Sequence, residues 1–102
     1  MTWKTPKLKK LVRTLHSLDT EKDLLNFLRD LCTLEELHVL SSRWEAVQLL
    51  DQGVSYRDIA KQTGLSTATV TRISHWLHHG EGGYGVALKK QTSYKKLSTD
   101  PT

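Results

Sequence analysis

Residues 54–77, VSYRDIAKQTGLSTATVTRISHWL, restrict this chain more than any other stretch, because they read as two short helices joined by a tight glycine turn. Ser55 can accept the unpaired N–H groups at a helix start, with Asp58 at the third helical position as the acidic half of a capping box. Gly64 stands where a chain leaving a helix turns left-handed, Leu65 can fold back between the helices, and Ser66 can cap the second one. Ile59, Ala60, Leu65, Val70 and Ile73 supply the internal faces, with Ala60 small where two backbones would cross. On the second helix Val70, Ile73 and Leu77 fall at i, i+3 and i+7, so Thr67, Ala68, Thr71, Arg72 and His75 face outward. That outward face is polar without being acidic. A helix fits the B-DNA major groove, and hydroxyls, a guanidinium and an imidazole can hydrogen-bond base edges and phosphates. The spacing therefore predicts a DNA-binding helix-turn-helix over 55–77, where a purely structural hairpin would not require all these offsets to agree.

At 102 residues the chain supports one domain with a small core, for which a dimer interface is a natural source of further burial. Charged residues make up 25%, a globular composition. The net charge of +4 is segregated. Residues 1–18 carry Lys4, Lys7, Lys9, Lys10 and Arg13 with no acid, while residues 19–52 carry eight acids against Lys22, Arg29 and Arg43. Positive charge returns in the helix-turn-helix with Arg57, Lys61 and Arg72, and in the tail with Lys89, Lys90, Lys95 and Lys96. Such a division suits a molecule with one face toward phosphate and another toward protein. The single cysteine, Cys32, lacks an internal disulfide partner and any signature of an activated nucleophile, and its leucine neighbours predict a buried thiol. The basic N-terminus precedes no apolar run of signal or membrane length, which predicts a cytosolic protein.

Taken in order, a flexible start at residues 1–6 leads into an amphipathic helix over 7–18, with Leu8, Leu11, Val12, Leu15 and Leu18 on one side. A membrane-surface helix would share that pattern, but its apolar side holds no aromatic and packing against protein is expected. Asp19 or Thr20 caps a second helix carrying Leu24, Leu25, Phe27, Leu28 and Leu31. Thr33 and Glu36 form a capping box for a long third helix, lined by Leu37, Leu40, Trp44, Val47, Leu49 and Leu50 and ended by Gly53. Three broadly apolar helices before the reading pair exceed what one small core requires, which predicts dimerisation. Beyond Leu77, Gly80, Gly82, Gly83 and Gly85 predict a loop docked through Tyr84, Val86 and Leu88, closing a domain over 7–90 before a basic flexible tail over 91–102. The glycines follow a helix and no βαβ unit surrounds them, so they are not a dinucleotide fingerprint. Of His75, His78 and His79, only His75 with one of the others shares a helical face, and nothing in sequence completes a tetrahedral metal site. Groove-facing or exposed histidines, and no metal, are expected.

The order of elements resembles the Trp repressor superfamily: T-x-E-E from Thr33 to Glu36 opening a long helix, Arg43 on it, then S-x-R-x-I at 55–59 and A-T-V-T-R at 68–72. The likeness covers about residues 20–79, most strongly 33–73, and is most similar in detail to the YerC/YecD group, whose members carry a glycine-rich segment with a G-Y pair after the recognition helix. The resemblance implies an all-α, Trp-repressor-like helical bundle forming an intertwined homodimer with two reading heads. It also implies that Arg57, Thr67, Ala68 and Thr71 match DNA-contacting positions; Lys61, one turn beyond Arg57, suits a phosphate contact, and Ser66, Arg72 and His75 complete the candidate DNA contacts. In that family the corepressor indole lies between two arginines matching Arg43 and Arg72, with Thr33 and Thr69 also at pocket positions. Two positions depart: a glycine that lets the indole lie flat becomes Ile73, and a serine that meets the ligand's amino group becomes Trp76. Thr69, Ile73 and Trp76 share one flank of the recognition helix, so Ile73 and Trp76 are expected to fill the tryptophan volume and leave a vestigial pocket; ordinary packing of Trp76 in the core or a dimer interface is the alternative.

These readings converge on a homodimeric, sequence-specific transcriptional regulator of double-stranded DNA, a repressor that needs no tryptophan, no other cofactor and no membrane. No helix collects a base, a carboxylate and a nucleophile, so no enzyme is expected. The rival readings are a helical protein-interaction or assembly module, a tryptophan-dependent repressor, and the recognition module of a recombinase. The last is disfavoured, since 102 residues hold no acidic nuclease domain.

Overall fold

Side-chain caps set most of the helix boundaries. The structure, a computed structural model, describes residues 2–97, with side chains through residue 91. Within these residues it is helical throughout: α1 Pro6–Ser17, α2 Glu21–Leu31, α3 Leu34–Asp51, α4 Tyr56–Thr63, α5 Thr67–His79 and α6 Gly83–Leu97. The hydroxyls of Thr5, Thr20, Ser55 and Ser66 each accept the backbone N–H three residues on, opening α1, α2, α4 and α5. Between the two candidate caps for α2, Thr20 is the one used. The Thr33–Glu36 box at α3 closes in both directions: Thr33 N–H donates to Glu36 Oε1 at 2.8 Å, and Glu36 N–H donates to Thr33 Oγ1 at 3.1 Å. No helix among the described residues is long and apolar enough to cross a membrane.

The contacts gather into two compact units, one ending at His38 and the other beginning at Val39. The physical reason lies in α1 and α2, neither of which buries a single residue. In the first unit, residues 2–5 form a turn before Pro6 opens α1 at a position that wants no N–H, with Thr5 N–H bonded to Trp3 O at 2.9 Å. Trp3 lines a shallow groove with Leu8 and Val12, so the apolar side of α1 does gain an aromatic. Cys32 is half-buried at the C-cap of α2 rather than buried in a core, its N–H donating to Leu28 O. Leu25, Leu31 and Leu34 stand more than half exposed.

The second unit holds the core. Ala46 and Val47 of α3, Ile59 of α4, and Val70 and Ile73 of α5 are buried, with Leu49, Leu50, Val54, Ala60, Leu65 and Leu77 packed around them. Leu40, expected on the packed side of α3, is 54% exposed, and the small Ser42 and Ala46 are buried instead. Gly53 ends α3 at φ +82, with Val54 N–H donating to Leu49 O and Gly53 N–H to Leu50 O, the paired bonds of a Schellman motif.

The expected glycine loop and tail take a different form. Gly80 and Gly82 do make the turn after α5, but α6 starts at Gly83 and runs on through the segment expected to be flexible, to Leu97; residues 98–102 lie outside the described residues. Two glycines in a first turn cost a helix about 2 kcal/mol, and burying apolar side chains worth about 1.5–3 kcal/mol each offsets that. Tyr84 and Leu88 pack on the core as expected, while Val86 is 60% exposed. Tyr84 also meets Trp44 of α3, with ring centres 6.4 Å apart, and Gln48 Nε2 donates to Gln91 Oε1 at 2.8 Å, fixing α6 along α3 at two levels.

Candidate nucleic-acid interface

The α4–α5 pair is held by apolar contacts and by two hydroxyl links. Gly64 adopts φ +78 at the C-cap of α4, and Leu65 tucks against the core behind it. The buried Thr63 hydroxyl donates to Ile59 O at 2.7 Å and accepts Leu65 N–H at 3.2 Å, so one side chain ties the helix end to the turn. Across the pair, Tyr56 Oη and Ser74 Oγ share a hydrogen bond at 2.5 Å. Thr63, Tyr56 and Ser74 have no counterpart in the sequence reading; their spacing carries no signal, since a hydroxyl's role here depends on which helix lies opposite. Among the described residues no buried side-chain nitrogen or oxygen lacks a partner. The angle between α4 and α5 is thus fixed from both sides of the turn.

The outer surface of this rigid pair carries every residue predicted to meet DNA. Arg57 and Lys61 on α4, Ser66 at the α5 cap, and Thr67, Ala68, Thr71, Arg72 and His75 on α5 are all exposed. Their chemistry is not uniform. Ser66 Oγ accepts Thr69 N–H at 3.1 Å and lies 2.9 Å from Thr69 Oγ1, so this hydroxyl orients the helix start. Thr71 Oγ1 donates to Thr67 O at 2.9 Å, which leaves its lone pairs facing out as acceptors. Arg57, Lys61 and Arg72 supply the positive charge, and α5 holds no acid along its whole length. The N-terminal turn of α5 also presents backbone N–H groups toward any anion placed there.

The six positions of the expected ligand pocket differ in exposure and in what they bond to. Thr33 is spent on the α3 cap. Arg43 and Arg72 are exposed, Thr69 is half-buried beside Ser66, and Ile73 is a core residue at 2% exposure. Trp76 is 57% exposed, with the His75 ring edge-on to it at 5.2 Å. An open cleft of about 440 Å³ at the α5–α6 turn has Trp76, His79 and Tyr84 in its walls; of the six positions only Trp76 borders it. Within one chain, therefore, Trp76 is not core packing.

The Trp repressor protein family profile matches residues 6–92 of this chain. YerC of Bacillus subtilis is 35% identical over 83 residues, which span 81% of this chain and 80% of that protein. A solved structure described as a TrpR-like protein from Eubacterium eligens superposes with a TM-score of 0.81 at 34% identity, covering 87% of this chain and 92% of the other. A structure from Staphylococcus aureus superposes with a TM-score of 0.80 at 29% identity, covering 87% and 89%.

Proposed function

We propose that this chain, which belongs to the Trp repressor family, is a DNA-binding regulator of transcription that works as a homodimer and represses by inserting α5 into the major groove. The observation that carries the reading is the rigid α4–α5 pair, with α5 free of acids and Asp58 the one acid on α4, on which all eight predicted DNA-contacting residues are exposed together. Arg57 reads a guanine edge or a phosphate, Lys61 a phosphate, and Thr67, Ala68 and Thr71 the bases beneath the start of α5. A two-fold dimer presents two such helices to half-sites about one DNA turn apart, roughly 34 Å. No bond is made or broken in this work.

The same reading makes the regulator independent of tryptophan. Supporting this, Ile73 and Trp76 stand where the family pocket has a glycine and a serine, and Ile73 is committed to the core. A buried isoleucine removes the flat floor on which an indole would lie. Saturable heat on titrating L-tryptophan into the protein would overturn this part.

The decisive experiment is selection of bound genomic fragments by the purified protein at two salt concentrations, with and without tryptophan. An enriched palindrome, unaffected by tryptophan, is the expected result. Arg57→Ala then weakens binding by about 1–3 kcal/mol if it reads a base, whereas Lys61→Gln weakens all sequences alike and lowers the salt dependence by about one unit of slope. Binding without enrichment that disappears at modest salt would leave only phosphate attraction. The protein-interaction reading would then replace this one.

A further inference from the structure

We propose that His75 and His79 form a two-imidazole chelate for a divalent late first-row metal ion, on the flank of α5 beside the predicted DNA face. The sequence supplies no four-ligand site and led to the expectation of no metal; the ring positions add the argument for a two-ligand site. The two histidines are one helical turn apart, at i and i+4, and both are exposed. Their ring centres lie 5.0 Å apart with planes inclined at 40°.

That distance can be compared with what a shared metal requires. Imidazole nitrogen binds such ions at about 2.0–2.1 Å, and the nitrogen lies roughly 1.1–1.2 Å from its own ring centre. Two rings on one ion at bond angles of about 90–110° therefore have centres about 4.5–5.2 Å apart. The His75–His79 separation falls within this interval, so a shared ion needs only rotation of two exposed rings to aim their nitrogens, with the distance between them unchanged. The 6.4 Å between His78 and His79 falls outside it, and as sequence neighbours those two side chains leave the helix in different directions. Trp76, edge-on to His75 at 5.2 Å, restricts that ring further. Among the described residues no third histidine, cysteine or carboxylate joins the pair in a fuller cluster. Water takes the remaining positions, and imidazole as donor selects nickel, copper or zinc over magnesium or calcium.

The ion draws a His75 nitrogen away from the groove-facing surface. Metal and DNA thus compete for that side chain.

The test is calorimetric titration of nickel chloride into the full-length, tag-free protein, without DNA. One ion per chain is expected. His75→Gln and His79→Gln each reduce affinity by more than the roughly 10–100-fold that losing even an outer-sphere partner costs, and His78→Gln leaves it unchanged. Equal binding by His79→Gln and the parent, or equal loss in His78→Gln, would overturn the chelate. All three side chains are exposed, so none of these changes should disturb the fold. A second arm rests on the DNA-reading proposal: nickel weakens DNA binding by the parent and not by His79→Gln. Nickel binding with no DNA binding at all would refute that proposal and leave the chelate standing.

Discussion

Glu36 shows how much one side chain can fix by itself. Its carboxylate accepts the Thr33 N–H, the larger cause, and sits beside the Thr33 hydroxyl; together they hold its pKa below the ordinary 4.5. A carboxylate whose folded pKa is depressed stabilises the fold fully above its unfolded value, and that contribution is lost as pH falls through the folded value. Glu36→Gln should therefore lower the melting temperature at neutral pH, with the gap to the parent closing as the pH falls below about 4. A gap of constant size across that range would show that the carboxylate's charge contributes nothing. This box was legible in the sequence because donor and acceptor lie within one turn, where spacing alone determines contact. The same holds for Ser55, Ser66, Gly53 and Gly64. Thr63, Ser42 and Ser74 were not legible, since whether a small polar residue is buried depends on what packs against it from elsewhere in the chain. Cys32 failed for the related reason that leucine neighbours in sequence do not guarantee cover in space.

At the scale of elements, the four glycines after α5 are not equivalent, and reading them as a single breaker signal hid α6. A Cβ on Gly80 would come within 2.4 Å of the Trp76 carbonyl oxygen, the acceptor for Gly80's own N–H, while a Cβ on Gly83 meets nothing within 4 Å. Gly80→Ala should destabilise the protein by about 1–3 kcal/mol. Gly83→Ala, in the first turn of α6, should be neutral or stabilising by up to about 1 kcal/mol. Urea denaturation at one fixed chain concentration separates the two, and equal effects would refute the distinction. The helix-turn-helix itself was readable almost to the residue, with its inward apolar positions and its outward polar face where the spacing put them. For α6 the deciding terms were the contacts of Tyr84, Leu88 and Gln91 with α3 and the core, which no local pattern announces.

For the whole molecule the governing fact is that only five apolar side chains among the described residues are buried, all of them in the second unit. Leu25 and Leu34 are each 66% exposed, on an acidic stretch that complements the acid-free basic α1. If a second copy covers these leucines, the denaturation midpoint rises with chain concentration, and Leu25→Asp with Leu34→Asp yields a monomer by sedimentation equilibrium. A midpoint independent of concentration would refute the dimer. The exposed Val12, Leu25 and Leu31 of α1 and α2 also bear on how the protein is made. These two helices leave the ribosome before the second unit does, and among the described residues neither holds a buried one. If a second copy covers these side chains, each newborn chain carries them exposed until it meets another. Neighbouring ribosomes on one message, which release identical ends close together, are the shortest route to that meeting, and chains made far apart spend longer at risk of aggregation.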